Sequence, residues 1–180
     1  MKAASIINFK GGVGNETLST EGFNIPQFGE TEANSRKYKI PDFLVQKLTQ
    51  ANYQRWLVRK AAAHVKRDKK RGNTTAIGEA YRIAIHHAII HSGGHDYYTG
   101  EILDWSLLSQ YSNEESQAGG RRYKATLALL PTVDHVGDGL GEADFRICAW
   151  RTNDAKNDLT HQEFVALCRR VVAHFDSCSA

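Results

Sequence analysis

Asp134 and His135 stand side by side after an apolar run, and Asn153 follows across a Gly-rich turn and a second apolar run. Hydrolysis of a phosphodiester needs a deprotonated water, a cation against the charge that builds on phosphorus, and help for the leaving oxygen. An adjacent carboxylate and imidazole can divide the first two tasks. Neighbouring side chains of a strand alternate between faces, but a turn at the strand end lets the carboxylate hold a metal while the imidazole meets the water. Asn153, expected at the start of a closing helical segment, offers a neutral oxygen. One carboxylate and one amide leave most positions of a hard octahedral ion, Mg²⁺ or Mn²⁺, open to water and phosphate.

Two short strands and a helix must position these groups. Val133 lies in the first expected strand, Gly137-Asp-Gly-Leu-Gly141 makes the turn, and Phe145-Arg-Ile-Cys-Ala-Trp150 is the second strand of the hairpin. Thr160 and Glu163 have the spacing of a capping box, and Phe164, Leu167, Cys168, Val171, Val172 and Phe175 then form the apolar stripe of a final helix.

Tyr98-Thr-Gly-Glu-Ile-Leu103, Thr132-Val-Asp-His-Val136 and Ile147-Cys-Ala-Trp-Arg-Thr-Asn-Asp-Ala-Lys156, with Asn157-Asp-Leu159, together resemble an HNH (ββα-metal) endonuclease module. The likeness runs from about residue 93 to 174. It implies a metal-dependent endonuclease acting on DNA, with Asp134 as metal ligand, His135 as general base, Asn153 as second ligand and Lys156 at the phosphate. Arg151 is a further candidate for contact with nucleic acid. Many such modules hold a structural zinc in two Cys-x-x-Cys knuckles. Here Tyr98 and Gly100 flank the first position and Trp150 and Thr152 the second, so no zinc is expected and aromatic and aliphatic packing should replace it. Asp144 stands where the middle asparagine of the family pattern would be. The alternative is a module of the same shape that binds nucleic acid without cleaving it.

Upstream, helical periodicity begins near Ile40. Pro41 suits a first helical turn before Phe43, Leu44 and Leu48. Thr49 can cap a longer helix carrying Tyr53, Trp56 and Leu57 and ending near Gly72. A third helix should run from about Thr75, through Tyr81, Ile85 and Ile89, to Gly93-Gly94. His87 and His91 share a face of it and read as surface histidines.

Between Arg55 and Arg71 eight basic residues face one acid, Asp68, a surplus larger than the +3 of the whole chain. Such a field suits a polyanion, and Lys66, Arg67, Lys69, Lys70 and Arg71 are the candidate phosphate contacts. Arg121, Arg122 and Lys124, expected in a long loop before the first strand, could add a second patch.

The first fourteen residues, Met1-Lys-Ala-Ala-Ser-Ile-Ile-Asn-Phe-Lys-Gly-Gly-Val-Gly14, resemble the first strand and phosphate loop of ParA-like P-loop ATPases. Asn15 and Glu16 stand where the loop needs lysine and a hydroxyl, so a relic rather than a nucleotide site is expected.

The resulting expectation is an α+β protein: an N-terminal arm over 1–39, a basic helical region over 40–92 and a zinc-free ββα-metal domain over 93–180. Composition is that of a water-soluble globular protein, with 41% hydrophobic and 24% charged residues and no apolar run of membrane-spanning length. Three cysteines suggest no disulfide framework, and the cytoplasm is the expected compartment. Removing the His135 side chain is expected to leave the fold largely intact.

Overall fold

The computed structural model describes residues 37–110 and 113–178. The P-loop-like start and nearly all of the expected arm lie outside the described residues.

The elements are a 3-10 turn at Asp42–Leu44, helices α1 (Gln50–Arg71) and α2 (Gly78–Ser92), and a 3-10 segment at Trp105–Ser109. Helix α3 (Asn113–Thr126), strands β1 (Pro131–His135) and β2 (Phe145–Ala149), and helices α4 (Trp150–Lys156) and α5 (His161–Cys178) follow. The protein is therefore α+β, a helical region followed by a hairpin and helix in ββα order.

Helix α1 begins where expected: the Thr49 side chain accepts the Asn52 amide at 3.2 Å. It ends on Gly72, whose φ of 108° is left-handed and whose N–H returns to the carbonyls of Asp68 and Lys69. Lys69, Lys70 and Arg71 in its last turn meet the negative end of the helix dipole. Its inner face carries Tyr53, Trp56, Leu57, Ala61, His64 and Asp68. Helix α2 presents Tyr81, Ile85 and Ile89. These two faces share one core with Leu103, Trp105 and the hairpin residues Val133, Phe145, Ile147 and Ala149. The helical region thus forms the wall against which the hairpin packs.

The strands pair antiparallel, Val133 opposite Ile147, Asp134 opposite Arg146 and His135 opposite Phe145. Alternation along β1 continues to its last residue, so His135 follows Val133 toward α1 and α2 while Asp134 takes the other face.

Three local readings are corrected. Pro41 precedes a single 3-10 turn rather than a helix, although Leu44 and Leu48 are buried as core residues. The stretch holding Arg121, Arg122 and Lys124 is part of helix α3, not a loop. Glu114 and Glu115 in its first turn and Lys124 in its last suit the dipole, and the Gly119-Gly120 pair costs only about 1 kcal/mol per residue. The expected capping box is present at α5, where Glu163 N–H donates to Thr160 Oγ1 at 3.2 Å and Thr160 N–H to Glu163 Oε2 at 2.9 Å. Yet no α5 residue is buried, and Leu167, Val171 and Val172 of its stripe are exposed.

The turn around residues 96–101 is fastened by a carboxylate. Buried Asp96 accepts the amides of Tyr98 (2.7 Å) and Thr99 (3.2 Å) on one oxygen and that of Ala149 (2.8 Å) on the other. This joins the turn to the end of β2 through hydrogen bonds, where the sequence suggested apolar packing. No helix among the described residues is long and apolar enough to cross a membrane.

Candidate active site

Two clusters flank the end of β1. On the helix side, His135 Nε2 lies 3.1 Å from Asp68 Oδ2, both side chains almost fully buried. The approach is within ion-pair range but too oblique for an aligned hydrogen bond, and Nδ1 is also buried without a hydrogen-bond partner. Tyr81 donates its hydroxyl to the same Asp68 oxygen at 2.8 Å, and Arg71 Nη1 lies 3.9 Å from the other. The His135 ring packs edge-on against Phe145, with centroids 4.8 Å apart. Burial, then the hydrogen bond to Asp68, pushes the Tyr81 phenol up to about 12, so it remains a donor.

On the other face Asp134 is buried between Tyr98 and Lys156. Tyr98 donates its hydroxyl to Oδ2, while Lys156 Nζ lies 3.2 Å from Oδ2 and 3.4 Å from Oδ1. Burial, and then the Asp134 carboxylate, raises the Tyr98 phenol above its ordinary range.

A cleft of about 960 Å³ brings the clusters together: Asp134, His135, Asn153 and Lys156 all line it, as do Arg67 and Arg71. Arg146, Tyr98 and His161 extend its wall. Asn153 sits within the short helix α4 rather than at its start. Asp134 and Asn153 offer the oxygens expected to hold a hard divalent ion, and Asp138, Asp154, Asn157 and Asp158 also line the cleft. Among the described residues no three His, Cys, Asp or Glu side chains gather as a metal site.

The remaining candidates lie elsewhere. Lys66, Lys69 and Lys70 are exposed on α1 and do not line the cleft. Lys60, counted in the same basic run, turns inward to donate to Thr132 Oγ1 at 3.1 Å, and burial lowers its ammonium to about 8. Arg151 pairs with Glu101 away from the cleft, while Lys124, itself off the cleft, pairs at 2.9 Å with Asp154 on its wall. Arg122 is exposed on α3, and the side chain of Arg121 lies outside the described residues. Asp144 pairs with Arg146, and its carbonyl accepts the amide of Val136, just past the end of β1, at 3.0 Å. His87 and His91 are exposed as expected, His91 Nδ1 bonding the His87 carbonyl at 2.8 Å.

Three residues at the site escaped the sequence reading: Asp68, Tyr81 as its hydrogen-bond donor, and Tyr98 as a partner of Asp134. Asp68 was legible in principle. It continues the inward stripe Tyr53, Leu57, Ala61, His64 at spacings of three and four, which marks it as the one member of the basic run facing inward with a negative charge.

His64, on that stripe, packs against Phe145 at 4.9 Å and takes a hydrogen bond from Arg67 on Nδ1. Burial first, then the charges of Arg67 and Lys60, lowers its imidazole from 6.5 to about 3. The fold holds it neutral, whereas the unfolded chain binds a proton near 6.5. Its contribution to stability is therefore full above that value and is lost as pH falls from about 6.5 toward about 3. A His64→Phe variant should lose less of its urea midpoint between pH 7.5 and pH 5 than the parent. Equal losses would contradict this.

No family model, curated protein or solved structure matches the chain.

Proposed function

We propose that this protein is a metal-dependent endonuclease that hydrolyses DNA phosphodiester bonds with His135 as general base. The observation that carries the reading is the cleft itself. Asp134 and His135 of β1 and Asn153 and Lys156 of α4 line it together with Arg67 and Arg71 of the basic helix. That set has a base for the water, oxygen donors for a hard cation and positive charge for the phosphate.

In this reading His135 takes the proton of the attacking water as the new P–O bond forms, the bond to the leaving oxygen breaks and that oxygen takes a proton from solvent, and Lys156 and the two arginines face the phosphate oxygens. Asp134 and Asn153 would hold Mg²⁺ or Mn²⁺, whose charge would stabilise the pentacoordinate phosphorus of the transition state. One carboxylate and one amide fit an ion that keeps most of its water. Incubating supercoiled plasmid with Mg²⁺, with and without chelator, tests the proposal.

A second reading, nucleic-acid binding without hydrolysis, has its own support: Lys156 and Tyr98 already engage the Asp134 carboxylate. In that case the plasmid is bound but stays intact with every divalent ion.

In both readings the position of Arg67 and Arg71 has a measurable consequence. Removing their charges should lower the slope of log affinity against log salt by about 0.9 for each DNA phosphate they had neutralised. Removing the charges of Lys66, Lys69 and Lys70, which do not line the cleft, should change it less. The opposite ranking would place the DNA path along the outer face of α1.

A further inference from the structure

We infer that Asp68 is the positioning residue of His135, holding the imidazole with its proton on Nε2 and its lone pair on Nδ1. The inference deepens the nuclease reading and rests on His135 being the base.

A neutral imidazole has one N–H and one lone pair, and the neighbour of each nitrogen decides which is which. Asp68 Oδ2 is 3.1 Å from Nε2. A lone pair on that nitrogen would lie beside a carboxylate and be repelled by it, so the proton belongs there. The oblique approach agrees with catalytic hydrogen bonds that align only when substrate is bound.

Asp68 is itself held from several directions. Tyr81 donates to Oδ2, and the loop after β1 closes over the carboxylate at Gly139. A Cβ on Gly139 would lie 2.6 Å from Asp68 Oδ1, and its φ of +81° also favours glycine. Asn73 fixes that loop by donating to the carbonyls of Gly139 (2.8 Å) and Gly141 (3.3 Å). The position corresponding to the family's middle asparagine does none of this, because the Asp144 side chain pairs with Arg146. A helix upstream of the hairpin thus supplies the orienting group, so the helical region contributes to the site as well as to the core.

The test reads the tautomer directly by two-bond ¹⁵N–¹H correlation on ¹⁵N-histidine-labelled full chain at pH 8, with His135 assigned through a His135→Gln sample. The wild type should show His135 protonated on Nε2 alone, and Asp68→Asn should move part of the population to the Nδ1–H form. A wild-type ring protonated on Nδ1, or on both nitrogens, overturns the inference even if the variant fails to fold. An unchanged tautomer in folded Asp68→Asn does so too. Plasmid cleavage by Asp68→Asn should fall by roughly 10–10⁴-fold in kcat with little change in KM, since an imidazole in the wrong tautomer cannot serve as base. If the wild type has the Nε2–H form but never cleaves, Asp68 still orients His135 and it is the nuclease reading that fails.

Discussion

Replacing His135 with alanine should lower DNA cleavage by roughly 10²–10⁴-fold, the usual contribution of a positioned general base. The fold will not be indifferent to the change, contrary to the expectation from sequence. The ring is packed against Phe145 and lies beside buried Asp68, so truncation leaves a cavity and a carboxylate without its imidazole. Leaving a buried acceptor without its donor typically costs about 1–3 kcal/mol. His135→Gln is the sharper variant, because its side-chain amide can donate to Asp68 and fill much of the ring's volume but cannot take a proton from water. The same loss of cleavage in His135→Gln, at a melting temperature near that of the parent, would assign the loss to chemistry. Undiminished cleavage by that variant would remove His135 from the mechanism.

Asp134 carries the other large effect. Asp134→Asn keeps an oxygen for Tyr98 and Lys156 but removes the charge, and should weaken Mn²⁺ binding by at least roughly 10–100-fold, the range seen when mere outer-shell partners are removed. Asp134→Ala should in addition destabilise the fold by about 3–5 kcal/mol, because Lys156 Nζ, now 3.2 Å from the carboxylate, would remain buried without its counter-charge. Asn153→Ala should weaken the ion less, since it removes a neutral ligand. Titration of Mn²⁺ by electron paramagnetic resonance measures all three. An affinity unchanged in Asp134→Asn would put the ion elsewhere.

The parts of this fold that were legible in the sequence are those dictated locally. Thr49 and Gly72 delimit α1, Thr160 and Glu163 start α5, and the alternation in Thr132–His135 and Phe145–Ala149 gives the hairpin. These signals depend on a few neighbouring residues and survive any tertiary arrangement. Helix α3 was not legible because Gly119 and Gly120 read as a break, whereas the charges at its two ends favour the helix. At the site, the sequence brought forward Asp134, His135, Asn153 and Lys156, and these do line one cleft. It could not assign their partners. The contacts Asp68 to His135, Tyr98 to Asp134 and Lys156 to Asp134 cross between elements far apart in the chain. A charge count treats Asp68 as a defect in a basic face, while its position on the inward stripe of α1 makes it a partner of the imidazole. The same limit applies to the basic run: Arg67 and Arg71, four apart on one helix face, line the cleft while Lys66, Lys69 and Lys70 do not.

The central claim is that the cleft hydrolyses DNA with a hard divalent ion and His135. Its most direct test is conversion of supercoiled plasmid to nicked and linear forms by purified full-length chain, run in parallel with folded His135→Gln. Cleavage is expected with Mg²⁺ or Mn²⁺, none in excess chelator, restoration when the ion is returned, and a loss of roughly 10²–10⁴-fold in the variant. Cleavage that persists in chelator, or that His135→Gln retains in full, would contradict the claim, as would a wild-type protein that binds the plasmid and leaves it intact with both ions.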